Sequence, residues 1–178
     1  MLLATRPADD EFAPFYARYI AAVPEGGLLA TLAEEQRLVQ ELLVGLTGAQ
    51  ERHRYGPDKW SVREVIGHCS DTERVFAYRA LRIARGDVTP LAGFDENAFV
   101  ATAGFDGRPL RELLAEWDAV RGASLALLRS FDGDALDRRG VASGAPVSVR
   151  ALAWMIAGHA RHHRTILAER YLAGTIAS

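Results

Sequence analysis

Long segments of this chain repeat apolar residues at three- and four-residue spacing, and that period restricts it to packed helices. Strand signals are scarce. Leu29, Leu32, Leu38, Leu42, Leu43 and Leu46 give residues 28–46 one apolar face. Val62, Val65, Ile66, Cys69, Phe76 and Ala80 do the same for 61–85, where Ser61 and Glu64 form a capping box. Leu113, Leu114, Trp117, Val120, Leu125 and Leu128 mark 110–131, and a last helix opens at Ser148 and runs to about Tyr171. A shorter helix is expected over 12–22, stopped by Pro24-Glu25-Gly26-Gly27. Residues 48–59 read as a polar loop, 88–108 as an irregular stretch with one short helix near 96–101, and 132–146 as a second irregular stretch. The expected fold is all-α: one domain over residues 1–178, a four-helix bundle with one or two irregular excursions.

Composition narrows the function. A formal net charge of −2 supplies no excess of cations for phosphates, so no nucleic-acid partner is expected. No stretch is long and apolar enough to span a membrane, and the N-terminus lacks the basic start and apolar run of a signal peptide. A cytoplasmic location is therefore the expectation. Cys69 is the only cysteine, so no internal disulfide and no cysteine-based zinc site can form.

The chemistry lies in the histidines. At about 100° per residue, Val149, Leu152, Ala153, Ile156, Ala160, Leu167 and Tyr171 form one inward stripe of the last helix. His159 and His163 fall inside it, one turn apart on the same face. Buried polar rings need partners. The pair fits either two core histidines, each with one hydrogen bond, or two ligands of one metal ion. His68 sits on the flank of its own helix's stripe, pointing obliquely toward a neighbour. Gly67-His68 follows Ser61-Val62-Arg63, and Gly158-His159 follows Ser148-Val149-Arg150. The histidines lie seven and eleven residues past their serines, one helical turn different, so both can face one axis; so short an echo also arises by chance. Three neutral imidazoles suit zinc, nickel, iron(II) or manganese(II), and three protein ligands leave positions open for water, hydroxide or a thiolate.

Other residues carry two readings each. Asp71, three positions after His68, either hydrogen-bonds that ring or a metal-bound water, or is a solvated carboxylate. Glu73 lies within an apolar stripe and either pairs with an arginine, as a structural pair, or faces the cavity. Cys69 reads as a buried apolar residue, and Trp60, Trp117 and Trp154 as core or helix-entry residues. His53 reads as solvated; surface exposure is expected for His162, the other reading being a donor behind the ligands or a substrate contact. Asp95, Glu96 and Asn97 either cap a short helix or belong to a lid.

The segments Lys59-Trp60-Ser61-Val62-Arg63-Glu64-Val65-Ile66-Gly67-His68, Asp71-Thr72-Glu73-Arg74 and Ile156-Ala157-Gly158-His159-Ala160-Arg161-His162-His163 resemble the DinB-like (DinB/YfiT) superfamily, as does Gly93-Phe94-Asp95 within 90–100. The resemblance covers roughly Trp60 to Tyr171. It implies a four-helix bundle, a divalent metal on His68, His159 and His163, a small-molecule substrate and often a homodimer. It further implies transfer of a low-molecular-weight thiol such as bacillithiol or mycothiol, a mycothiol-dependent isomerisation, or hydrolysis. Relatives often carry an acid after the first histidine of the last motif, where this chain has Ala160. The alternative is a non-catalytic metal-binding or ligand-binding bundle, or a plain structural bundle with core histidines.

Overall fold

A computed structural model describes residues 5–173. Two short 3-10 turns, Asp9–Glu11 and Pro14–Tyr16, lead into α1 (Ala17–Ala22). Next come α2 (Leu28–Leu43), α3 (Gly48–Glu51), α4 (Val62–Ala84), α5 (Glu96–Ala103), α6 (Leu110–Arg129) and α7 (Gly133–Asp137). A hairpin of β1 (Arg139–Ala142) and β2 (Ala145–Ser148) precedes α8 (Val149–Ile166), which continues through a π turn, Leu167–Tyr171. The long helices α2, α4, α6 and α8 form a four-helix bundle, in which α4 packs on both α6 and α8 while α2 packs on α8 and α6. No helix among the described residues is long and apolar enough to cross a membrane.

Two of the long helices, α4 and α8, start at side-chain caps. Ser61 accepts from the Glu64 amide while the Glu64 carboxylate takes the Ser61 N–H, so both arms of the capping box form. Ser148 accepts from the Ala151 amide at the head of α8. Elsewhere the chain departs from the expectation. The helix expected over 12–22 is broken into 3-10 turns before α1, because Pro14 supplies no N–H and fits only a first turn. Thr47 caps a short helix inside the expected loop 48–59. The irregular stretch 132–146 holds α7 and the hairpin, whose turn places Ser143 at φ 53° and Gly144 at φ 78°.

Helix α8 is the centre of the molecule. Every residue from Ala151 to Ala160 is buried, rather than one stripe, because α1 lies across the side that a plain bundle would leave open. Gly158 permits that crossing: a Cβ there would sit 2.0 Å from the Tyr19 carbonyl oxygen. Gly67 plays the matching part in α4, where a Cβ would meet the Phe105 ring at 2.4 Å. Each glycine precedes a histidine of the site, so close backbone approach fixes the heights of His68 and His159.

Two buried charge clusters lock the bundle. Glu35 of α2 takes Arg161 at 2.8 Å and Arg164 at 2.6 Å, tying α2 to the half of α8 that carries His159 and His163. Glu73 of α4 takes the Arg121 guanidinium through two 2.8 Å bonds and the Trp117 indole N–H at 3.1 Å. The arginine expected for Glu73 is therefore on α6.

Candidate metal centre

His68 from α4 and His159 and His163 from α8 turn their rings toward one point. His68 Nε2 lies 3.0 Å from His159 Nε2, and His163 Nε2 lies 3.1 Å from the same atom. One ring nitrogen from each of the three falls within 4.8 Å of the others. His68 and His159 are buried and His163 is half-buried.

Chemistry separates a cluster of core histidines from a ligand set here. A neutral imidazole carries one N–H and one lone pair. If His159 Nε2 is unprotonated, two N–H groups must share its single lone pair; if it is protonated, it serves only one neighbour. In neither case can internal hydrogen bonds satisfy all three central nitrogens, whereas three unprotonated Nε2 atoms would offer three lone pairs to one cation. Two nitrogens each about 2.1 Å from one ion lie roughly 3.0–3.4 Å apart, which the observed separations approach. The residues present fit a divalent cation.

The supporting contacts fix the rings. Thr72, one turn after His68, places Oγ1 3.4 Å from His68 Nδ1, on the side of the ring away from the Nε2 that faces His159. Trp60 packs on His68 at 4.5 Å between ring centroids and lies parallel to His163 at 6.5 Å. Tyr19 meets His159 edge-on at 5.4 Å. The triad opens into a cavity of about 230 Å³, walled by aromatic residues from the N-terminal segment, α4 and the 88–95 loop.

Several residues sit elsewhere than the sequence suggested. The Asp71 carboxylate bonds Arg74 at 3.2 Å and is absent from the cavity wall; Thr72 takes the place beside His68 that Asp71 was a candidate for. His162, expected at the surface, is half-buried and lines the cavity with its ring 5.4 Å from Tyr19, because α1 covers that side of α8. Trp60 joins the site as well as marking helix entry. Asp95 caps α5, accepting from the Asn97 and Ala98 amides, whereas Glu96 faces the cavity. Cys69 is buried, and burial pushes its thiol far above the usual range, so it does not act as a nucleophile. Ala160 packs into the apolar cluster with Val65 and Cys69. The contribution of Phe15, Tyr16, Arg18 and Tyr19 was missed altogether; the aromatic spacing at 12, 15, 16 and 19 was its one signal.

The imidazoles are held neutral. Burial lowers His68 to about 4. Burial first, then the neighbouring imidazoles and Arg18, hold His159 and His163 well below the ordinary value. Below about pH 6.5 the unfolded chain protonates these rings while the folded one does not, so stability falls with pH. Metal-free protein should show a level unfolding midpoint above about pH 7 and a decline from about 6.5 toward 4, with roughly 3 kcal/mol from His68 alone. Denaturant titrations of wild type and His68→Phe across that range check this: the variant's decline should be shallower, and equal slopes would contradict it.

The fold is similar to that of YfiT from Bacillus subtilis, described as a probable metal-dependent hydrolase with an unusual four-helix bundle topology. The TM-score is 0.78 over 100% of both chains, at 16% identity, a likeness of fold. Comparison with curated proteins gives no match. The sequence profile of the DinB superfamily matches residues 31–167, a span that contains all three histidines, and the chain belongs to that superfamily.

Proposed function

We propose that the protein is a metal-dependent enzyme acting on a small molecule, with His68, His159 and His163 as the metal ligands. The observation that carries this is the convergence of three imidazole nitrogens on the floor of an open cavity. A structural site would be closed by a fourth protein ligand, whereas three ligands beside a cavity leave room for a reactant. When bound, a divalent ion supplies Lewis acidity and brings a coordinated water or thiol toward ionisation near neutral pH. Zinc and nickel suit an all-imidazole set best, with iron(II) and manganese(II) after them.

The chain's own groups do the rest. Thr72 can accept a hydrogen bond from His68 Nδ1–H, which would leave Nε2 free for the ion. Trp60, Phe76 and Tyr19 shield the ligand rings from bulk water, which strengthens any charge interaction at the triad. His162, Tyr16, Tyr19, Arg18 and Glu96 are the other titratable side chains on the cavity wall. The reaction is hydrolysis or S-transfer of a low-molecular-weight thiol; either uses a nucleophile generated beside the triad. Purified protein should carry one divalent ion per chain. It should also hydrolyse a simple ester or amide, or conjugate a small thiol to an electrophile, with loss on chelation and recovery on adding metal. Full occupancy with no turnover in either assay would defeat the proposal.

A further inference from the structure

The cavity above the triad holds one guanidinium whose charge no carboxylate among the described residues answers. Arg18 of α1 lies on the wall, and its charge is felt by His159, His162 and His163. Among the described residues no carboxylate comes within ion-pair distance of it. Its one hydrogen bond runs from Nη2 to the Tyr19 hydroxyl at 3.2 Å, so four of its five N–H donors remain free. Arg63, Arg74, Arg121, Arg161 and Arg164 are each paired with Glu or Asp, whereas Arg18, like the buried Arg79 that bonds only the Ala92 carbonyl and the Ser143 hydroxyl, is not.

Arg18 is also held in place. Its guanidinium carbon sits 4.5 Å from the centre of the Phe15 ring and 4.9 Å from that of Tyr19. Arg18 is itself exposed, and these two ring contacts restrict part of the side-chain freedom it would otherwise lose on binding. The only carboxylate on the same wall, Glu96, does not reach it. Phe15, Tyr16, Phe76, Phe94 and Trp60 supply an apolar lining for the remainder of the cavity.

We propose that Arg18 anchors a carboxylate at the end of the substrate remote from the reacting atoms, with an apolar body lying along the aromatic wall. One planar fork with one charge matches a carboxylate. Glu96, facing the same space, opposes a more highly charged group. The inference rests on the metal-centre reading, since it places the substrate's other end at the triad.

The test uses zinc-loaded protein and a series of straight-chain hydroxamates of increasing length, each ending in a carboxylate, its methyl ester or a phosphonate. The hydroxamate seeks the metal and the far end reports on Arg18. Calorimetric titration should show one chain length at which the carboxylate binds about tenfold tighter than its ester, the scale of a hydrogen bond to a charged group. Arg18→Gln should erase that preference and leave the ester's affinity within about twofold, and Arg18→Lys should restore part of it. Equal affinity of acid and ester at every length, a preference that survives Arg18→Gln, or tighter binding of the phosphonate would overturn the carboxylate assignment while leaving the metal centre standing. Esters that bind no better with zinc than without it would remove the metal-centre reading, and the inference with it.

Discussion

Replacing His159 with alanine is expected to lower bound metal from one ion per chain to trace amounts and to abolish turnover. His159 is the hub of the triad: its Nε2 is within 3.1 Å of both other nitrogens, and His68 and His163 make no such contact with each other. Without it two imidazoles remain, from different helices, sharing only the Trp60 ring and an edge contact with each other. Loss of a group that merely supports a ligand costs about 10–100-fold in metal affinity, and loss of the central ligand should exceed that. A metal at a thousandfold excess over its dissociation constant stabilises the folded state by about 4 kcal/mol, so wild type should lose thermal stability on chelation and the variant should not. Elemental analysis with thermal unfolding, with and without chelator, decides the matter. A variant that still holds one chelator-sensitive ion would show that the ligands lie elsewhere. His68→Ala and His163→Ala should behave alike, with far-ultraviolet circular dichroism unchanged in all three.

The parts of this centre that were legible in the sequence were those set by local physics. A capping box is written in four consecutive residues, so the start of α4 and the orientation of His68 follow from Ser61 and Glu64. The turn-spaced histidines of α8 needed only the helical period. Glu73, in an apolar stripe, announced an arginine without saying which. What could not be read was set by contacts distant in sequence. The echo of Gly67-His68 in Gly158-His159 looks like chance until Phe105 and the Tyr19 carbonyl are found against those two glycines. The crossing of α1 over α8 depends on that fit, and it moves His162 from the surface to the cavity and brings Arg18 to the wall. The hairpin escaped notice because its strands are four residues each and only a Ser-Gly turn marks them.

Glu73→Gln should destabilise the protein by about 3–5 kcal/mol, the cost of leaving a buried charge without its counter-ion. Arg121 has no exposed side-chain surface, and Glu73 only 3%. The carboxylate satisfies two Arg121 donors and the Trp117 indole, and Arg121 also donates to the Leu32 carbonyl at 2.6 Å, so three helices of the bundle meet at this point. An amide of the same shape keeps the volume but can accept only through one oxygen, and it offers the guanidinium an N–H in place of an acceptor. Arg121→Met should cost a comparable amount, since it strands the carboxylate. Glu73→Met with Arg121→Met removes both charges, and most of the loss should return, because a buried ion pair contributes little beyond offsetting its own desolvation. Urea unfolding of wild type, Glu73→Met, Arg121→Met and the double variant completes the cycle. Losses that simply add in the double variant would mean that the two side chains act independently, and the pair would then be no more than packing. Recovery in the double variant, together with unaltered metal content, would separate the lock on the bundle from the centre it positions, although Glu73 and His68 share one helix only five residues apart.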